Sequence, residues 1–128
     1  YLQESNLDYA HGTGHGVGFF LNVHEGPQAI SKINTVKLKE GMVLSNEPGF
    51  YKKNKFGIRI ENLVYVKKEK KKIFFKNLTM APIEKDLINF NLLSKFEKNY
   101  LFKYHLDVYT KLSKYLKPNE KKWLLNFI

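Results

Sequence analysis

The stretch MVLSNEPGFYKKNKFGIRIENLVYV, residues 42–66, has the pattern of two β-strands joined by a polar turn. Pro48 and Gly49 interrupt the first strand, residues 52–57 form the turn, and residues 58–66 form the second strand. Two strands joined by a short turn pair in the antiparallel sense. The stretch therefore predicts an antiparallel hairpin.

Two glutamates lie on this predicted hairpin, Glu47 on the first strand and Glu61 on the second. Because side chains alternate between the two faces of a strand, Glu47 shares a face with Ser45, and Glu61 shares a face with Arg59. Pairing of the strands can then direct both carboxylates toward one point. Burial among the neighbouring isoleucines would be costly for a carboxylate without an ion pair or a metal ion, and one arginine cannot satisfy two glutamates fully.

Three of the four histidines lie within fourteen positions upstream of the hairpin, in the segments AHGTGHGVG and NVHEGP; they are His11, His15 and His24. The four glycines of residues 10–18 predict a close approach of the backbone to another group. Histidine together with glutamate suits divalent metals, and carboxylates can bridge two ions, so the set suggests a two-metal hydrolytic site. On spacing alone, surface or backbone-capping histidines remain an alternative, because the glycines argue against a helical H-E-x-x-H site.

The sequence outside these segments predicts short connections and a helical C-terminal part. Residues 1–9 have the pattern of a helix end that leads into a strand, and the lysine run of residues 67–72 has that of a hairpin tip before a return strand. From about residue 84 the pattern becomes helical. Apolar residues there recur at spacings of three and four, at Phe96, Tyr100, Leu101, Tyr104, Val108, Leu112 and Tyr115.

Pro118 is predicted to end this long helix, and Asn119 is predicted to cap a last short helix. The aromatic stripe of the long helix predicts a core or dimer contact, and His105 is predicted to be a packed helix residue and not a ligand. Tyr51 is predicted to pack on the face of the hairpin, with a hydrogen bond near the site as the alternative.

The composition argues against several classes of function. The 128-residue chain has no cysteine, which excludes disulfides and cysteine-zinc sites, and it has no apolar run of the ~20 residues that a membrane span needs. Its net charge of +10 comes almost wholly from lysine, with Arg59 as the only arginine. Because specific nucleic-acid recognition relies on arginine, we predict a solvated lysine-rich surface and neither a nucleic-acid nor a membrane partner.

Four sequence blocks, HGTGHGVG, NVHEGP, SNEPGFY and GIRIEN, occur in this order in residues 11–62. They resemble the signature blocks of the Xaa-Pro aminopeptidases (aminopeptidase P) of the cytosolic eukaryotic type, which are pita-bread metallopeptidases. The resemblance implies an α+β fold, the C-terminal half of a pita-bread fold with an antiparallel sheet and C-terminal helices. It further implies that residues 1–82 are the C-terminal portion of the catalytic domain and that residues 83–128 are a C-terminal helical extension.

The same resemblance implies roles for the residues that match the motifs. The implied metal ligands are His15, Glu47 and Glu61. Glu47 would also act as the base on the metal-bound water, and Glu61 would bridge both ions. His11 and His24 would hydrogen-bond the substrate and stabilise the tetrahedral intermediate. Arg59 would hold the ligand carboxylates in place.

The implied reaction is hydrolysis of the N-terminal Xaa-Pro peptide bond by a hydroxide held by two divalent metal ions. The implied metal is manganese, with zinc or cobalt as alternatives, and the implied substrates are peptides with proline at the second position. A cytoplasmic location and a homodimer formed through the C-terminal region are also implied. A prolidase-type Xaa-Pro dipeptidase and a catalytically inactive pita-bread binding module remain alternatives.

The family pattern includes two further ligands, an aspartate pair upstream of the first histidine segment. The only aspartates are Asp8, Asp86 and Asp107, and none lies in such a pair. The chain begins at Tyr1 without an initiator methionine, so we expect it to be a piece of a longer protein that supplies both aspartates. Alone, the chain is expected to bind metal weakly or not at all and to be inactive.

Overall fold

The β-strands lie in the first part of the chain and the α-helices in the last part. The computed structural model describes residues 2–20 and 22–128. The chain divides into two units, Tyr1–Thr79 and Met80–Ile128. The assignment of a catalytic-domain portion and a helical extension on the two sides of residue 82 stays a prediction.

The described part of the first unit contains seven strands, all of them short or medium in length. They are β1 (Gly14–His15), β2 (Ala29–Ile30), β3 (Val43–Asn46), β4 (Gly49–Lys52), β5 (Phe56–Arg59), β6 (Asn62–Glu69) and β7 (Lys72–Asn77). Strand β1 pairs with β2, β4 pairs with β5, and a three-stranded sheet has the order β3-β6-β7. All of these pairings are antiparallel, as the sequence predicts.

The predicted central hairpin is confirmed, but it consists of two separate ladders. Strands β4 and β5 pair from Gly49 opposite Arg59 to Lys52 opposite Phe56, and strands β3 and β6 pair with Asn46 opposite Asn62. Pro48 has no N–H to donate, so regular pairing stops before it and resumes at Gly49. The two glutamates of the hairpin therefore lie in the gap between the ladders.

The predicted lysine-rich hairpin tip is also confirmed. Strands β6 and β7 pair along their length, and Glu69 is opposite Lys72 at the tip. The turn between them has Lys70 in the left-handed region, with φ of 55°. The end of a helix predicted for residues 1–9 is present as a 3₁₀ turn at Gln3–Ser5, but the strand that follows begins only at Gly14. Tyr1 lies outside the described residues.

The core of the first unit is small and lies on one face of the three-stranded sheet. Leu44, Val64 and Val66 are between 0% and 2% exposed, with Ile30, Leu38 and Met42 packed against them. Full burial of each such side chain stabilises a fold by roughly 1.5–3 kcal/mol. The order β3-β6-β7 thus fixes strand β3, whose last residues lead directly into Glu47.

The second unit consists of a long helix, α1 (Lys95–Leu112), a short helix, α2 (Pro118–Leu125), and three 3₁₀ turns, Lys85–Leu87, Phe90–Leu92 and Ser113–Tyr115. Ser94 and Glu97 form a capping box at the start of α1, in which each side chain accepts a hydrogen bond from the backbone of the other. Among the described residues, no helix is both long enough and apolar enough to cross a membrane.

The buried face of α1 differs from the predicted stripe. Leu101, Tyr104 and Val108 are buried as expected, but Phe96, Tyr100 and Tyr115 are exposed, and His105 takes a place on the buried face. The reason is that helix α2 and the segment containing Met80 and Ile83 cover only the face centred on Tyr104 and Val108. Spacings of three and four also connect two neighbouring faces of a helix, so the pattern alone does not separate them.

The end of the long helix was also predicted wrongly. Helix α1 ends at Leu112, and Pro118 is the first residue of α2, not a terminator. Proline suits the first helical position because its missing N–H would have no partner inside the helix. The cap lies at Lys117 and not at Asn119, and the Lys117 N–H donates to the Glu120 carboxylate over 2.7 Å.

Candidate metal centre

Three side chains predicted to be metal ligands meet where the hairpin ladders are interrupted. His15 is the last residue of β1, Glu47 directly follows β3, and Glu61 lies between β5 and β6. One ligand atom from each of the three lies within 4.8 Å of the other two. The interruption at Pro48 removes both glutamates from regular pairing, which lets their carboxylates turn toward the histidine.

The ring of His15 is oriented by its own backbone. Its Nδ1 donates to the carbonyl oxygen of Gly16 over 2.9 Å, since a carbonyl can only accept. A neutral His15 therefore presents the Nε2 lone pair, and Nε2 lies 3.2 Å from Oε1 of Glu47. Two acceptors at this distance repel each other unless a proton or a cation lies between them. A metal-bound histidine usually donates its other ring N–H to a carbonyl or carboxylate oxygen, as His15 does here.

These donors fit a divalent metal ion. Two ligand atoms bound to one ion at about 2.0–2.2 Å lie roughly 3 Å apart, which matches the His15–Glu47 separation. One imidazole and two carboxylates are a donor set for Mn, Zn, Co or Fe. Among residues 2–20 and 22–128 this is the only group of three or more such side chains close enough to share an ion. Three donors are too few to complete the coordination of two ions.

The carboxylate of Glu47 is held at both oxygens. Glu47 is buried, with 8% exposed, and its Oε1 accepts a 3.0 Å hydrogen bond from the hydroxyl of Ser45. Its Oε2 lies 3.3 Å from Nη1 of Arg59. The charge on this buried carboxylate is thus partnered, as burial requires. Glu61, by contrast, is exposed, so it does not carry the cost of burial among the neighbouring isoleucines. Ile58 and Ile60 are themselves more than 40% exposed.

Arg59, Tyr51 and His11 form a chain of hydrogen bonds beside the donors. Arg59 Nε donates to the Tyr51 hydroxyl over 2.8 Å, and that hydroxyl lies 2.8 Å from His11 Nε2. Because His11 Nδ1 donates to the carbonyl of Gly12, Nε2 of a neutral His11 accepts a hydrogen bond from the Tyr51 hydroxyl. The hydrogen bond to Tyr51, with smaller contributions from Glu47 and Glu61, raises the pKa of Arg59 and keeps its charge in place.

Tyr51 is predicted to pack, with a hydrogen bond near the site as the alternative, and the structure shows that its hydroxyl makes that hydrogen bond. Its ring lies over strand β5, where it is paired with Gly57. A Cβ atom at Gly57 would lie 2.7 Å from the Tyr51 ring. The signal in the sequence is therefore a glycine directly across the hairpin from an aromatic residue. Such a glycine makes room for a ring that must lie flat across the sheet.

His24 reaches the site through a loop that closes onto strand β1. The Glu25 N–H donates to the Gly16 carbonyl over 3.0 Å, and a Cβ at Gly16 would overlap the carbonyl oxygen of Glu25. This close approach stacks the His24 ring on the His15 ring, with centroids 3.8 Å apart and an interplanar angle of 12°. No hydrogen bond from the described residues reaches the ring nitrogens of His24, which leaves both available for a ligand.

The predicted site residues line one open cleft of about 300 Å³. Its walls are His11, His15, His24, Glu47 and Arg59, with Gly12 and Gly14 between them. Glu61 does not line the cleft, but one of its carboxylate oxygens lies within 4.8 Å of the ligand atoms of His15 and Glu47. The fourth histidine is not part of the site: His105 is buried in the second unit, and its Nε2 accepts the Ile83 N–H over 3.0 Å. Its predicted role as a packed helix residue agrees with this contact.

An antiparallel sheet that brings imidazole and carboxylate donors into one cleft, with further histidines beside them, is typical of a metallohydrolase. Comparison with known families makes the class more specific. Residues 1–68 match metallopeptidase family M24, and residues 71–127 match the C-terminal region of peptidase M24. The chain belongs to metallopeptidase family M24, and the predicted pita-bread fold is confirmed.

The chain is similar to several proteins named as Xaa-Pro aminopeptidases. It is 46% identical over 136 residues to a probable Xaa-Pro aminopeptidase P of Laccaria bicolor, covering 96% of this chain and 21% of that protein. It is 46% identical over 141 residues to Xaa-Pro aminopeptidase 1 of Dictyostelium discoideum, covering 100% of this chain and 22% of that protein. The chain thus spans about a fifth of the length of these relatives.

A solved structure is similar over nearly the whole chain. The crystal structure of X-prolyl aminopeptidase from Caenorhabditis elegans, described as a cytosolic enzyme with a di-nuclear active site, matches with a TM-score of 0.89 and 41% sequence identity. The match covers 98% of this chain and 22% of the nematode chain. The predicted resemblance to the Xaa-Pro aminopeptidases is confirmed by these similarities.

Proposed function

We propose that this chain forms the metal-binding part of an aminopeptidase that hydrolyses the N-terminal Xaa-Pro bond of peptides. The observation that carries the proposal is the convergence of His15, Glu47 and Glu61 donors within 4.8 Å. The similarity to Xaa-Pro aminopeptidases supports the substrate class, which is peptides with proline at the second position. Two carboxylates from outside residues 1–128 complete the site, since three donors cannot hold two ions.

Two divalent ions, when bound here, supply an activated water near neutral pH and polarise the scissile carbonyl. The residues of this chain do the rest. His15 and Glu47 would hold one ion, and Glu61 would be a ligand shared with the second. Glu47 would also accept the proton of the attacking water. Manganese is the proposed metal, with zinc and cobalt as alternatives, because one imidazole with several carboxylates is a mixed, mostly oxygen donor set.

The two auxiliary histidines have different tasks in this proposal. His24 donates a hydrogen bond to the substrate carbonyl as negative charge develops on its oxygen, because its ring nitrogens have no partner among the described residues. His11 is already engaged at both nitrogens, by Gly12 and by Tyr51. It therefore contacts substrate only by exchanging one of these hydrogen bonds. Arg59 holds Glu47 and, through Tyr51, the ring of His11.

We also propose a cytoplasmic location and a homodimer formed through residues 83–128. The location is supported by the description of the nematode structure as a cytosolic enzyme. The dimer is supported by large apolar side chains of the second unit that are more than 70% exposed, which include Leu87, Leu92, Phe96 and Tyr115. Exposed apolar residues in such number mark an interaction surface, and a second copy is the occupant proposed here.

The proposal is tested by hydrolysis of Arg-Pro-Pro by the full-length polypeptide with added Mn²⁺. The expected result is release of free arginine, with no release from Arg-Ala-Ala and slow turnover of the dipeptide Ala-Pro. Turnover of Ala-Pro alone would instead indicate a prolidase-type dipeptidase. Absence of cleavage in a protein shown to contain two metal ions would leave only a binding function.

A further inference from the structure

Ser45 is fully buried, with 0% of its surface exposed, on a strand that otherwise turns Leu44 into the core. A hydroxyl at such a position is costly unless both its donor and its acceptor capacity are used. Both capacities are used, and both partners belong to the candidate metal centre. Ser45 Oγ accepts the backbone N–H of His15 over 2.9 Å and donates to Oε1 of Glu47 over 3.0 Å.

The first of these hydrogen bonds depends on an unusually close approach of two strands. A Cβ atom at Gly14 would overlap the backbone carbonyl oxygen of Ser45, so only glycine allows β1 to lie so near β3. This approach brings the His15 N–H within reach of the Ser45 hydroxyl. The backbone that carries the imidazole is thereby tied to the strand that carries the carboxylate.

The second hydrogen bond reaches the same oxygen that faces the imidazole. Oε1 of Glu47 accepts the hydrogen bond from the Ser45 hydroxyl and lies 3.2 Å from His15 Nε2. Arg59 holds the other oxygen of Glu47, Oε2. One hydroxyl thus sets the position of the His15 backbone and the rotation of the Glu47 carboxylate. If position 45 only filled space in the core, valine or alanine would serve equally well, because neither side chain needs a hydrogen-bond partner.

We propose that Ser45 is a positioning residue that sets the distance between the two donors of one metal ion, His15 and Glu47. The inference rests on the proposed metal centre and goes beyond it, because Ser45 itself contacts no metal. Loss of a group that orients metal ligands typically lowers metal affinity by about 10- to 100-fold. The hydroxyl, and not the volume of the side chain, is what carries this effect.

An isosteric pair of variants separates the hydroxyl from the volume. Ser45→Thr keeps the hydroxyl and Ser45→Val replaces it with a methyl group of the same shape, and both residues suit a β-strand. Leu44→Val is the matched control, since Leu44 is equally buried on β3 and packs in the apolar core with Val64 and Val66. Zn²⁺ is titrated into the metal-free full-length protein and each variant by calorimetry, with circular dichroism to confirm folding and His15→Ala to identify the site.

The expected result is saturable binding of Zn²⁺ by the full-length protein, with the loss of at least one bound ion in His15→Ala. Ser45→Thr and Leu44→Val should stay within about threefold of the unsubstituted chain, and Ser45→Val should bind about 10- to 100-fold more weakly. Equal affinity of the Ser45→Val and Ser45→Thr chains would overturn the positioning role and leave the metal centre intact. Absence of binding by the unsubstituted full-length protein, or an unchanged number of bound ions in its His15→Ala variant, would overturn both.

Discussion

The Nε2 atom of His15 lies 3.2 Å from Oε1 of Glu47, while a backbone carbonyl accepts the hydrogen bond of the other ring nitrogen. The ring therefore offers a lone pair to a carboxylate, an arrangement that a shared cation relieves. Glu61 brings a third donor to the same point.

Glu61→Ala should remove at least one metal ion from the full-length protein and nearly all of its activity, because a bridging carboxylate serves both ions. Metal content is measured by elemental analysis after gel filtration. Glu69→Ala is the control, since Glu69 is an exposed carboxylate that pairs with Lys67 away from the site. Full metal content in the Glu61→Ala protein would contradict the bridging role.

Tyr51→Phe should lower kcat/KM for Arg-Pro-Pro by about 10- to 100-fold while leaving metal content unchanged. The hydroxyl contacts Arg59 and His11 but no metal donor, so its loss frees the His11 ring without opening the metal site. The ring itself remains against Gly57, which preserves the packing. Loss of metal with the hydroxyl would show that Tyr51 supports the ligands and not His11.

The stability of the second unit should depend on pH through Glu97. Hydrogen bonds from the Ser94 hydroxyl, and then from its backbone N–H, hold the pKa of Glu97 below its ordinary value of 4.5. A group whose pKa is lower in the folded state contributes stability that is present above pH 4.5 and is lost as pH falls through the folded pKa. Glu97→Gln should therefore lower Tm at pH 7 and lose less stability than the parent between pH 5 and 3.

Thermal unfolding followed by circular dichroism at several pH values checks this prediction. Asp107→Asn is the control, because Asp107 lies on the same helix and pairs with Lys111 away from the cap. Ser94→Ala removes the other half of the capping box and should cost about 1 kcal/mol at neutral pH. Identical pH profiles for the parent and the Glu97→Gln chain would contradict the role of the cap.

The proposed dimer should dissociate when charge is placed on the exposed apolar surface of the second unit. Leu92→Asp with Phe96→Asp changes two side chains that are 80% and 79% exposed, so the fold of a single chain should survive. Burial of a carboxylate in an interface is unfavourable, and the mass measured by light scattering should halve. Ile73→Asp on β7 is the control, and an unchanged dimer in the Leu92/Phe96 variant would exclude this surface.

Much of the first unit follows from the sequence because its signals are local. Pro48, Gly49 and the polar turn predict where pairing begins and stops, and alternation along the strands predicts that Glu47 and Glu61 converge. The same local logic predicts the lysine-rich tip at residues 67–72. These elements are confirmed because each depends on neighbours along the chain or directly across a hairpin.

The errors arise where a residue depends on a distant partner. For Phe96 and Tyr115 the core alternative is wrong, because which face of α1 is buried depends on what packs against it, and the dimer alternative stays a prediction. Tyr51 appeared to be a packing residue because its hydroxyl partner His11 is forty positions away.

The most direct test of the metal centre is a crystal structure of the full-length protein soaked in Mn²⁺, with an anomalous difference map collected at the manganese edge. The predicted result is a peak within about 2.3 Å of both His15 Nε2 and Glu47 Oε1, with the Glu61 carboxylate as a further ligand. The absence of a peak in the cleft at a saturating concentration of Mn²⁺, with or without peaks elsewhere on the molecule, would contradict the assignment of these three residues as metal ligands.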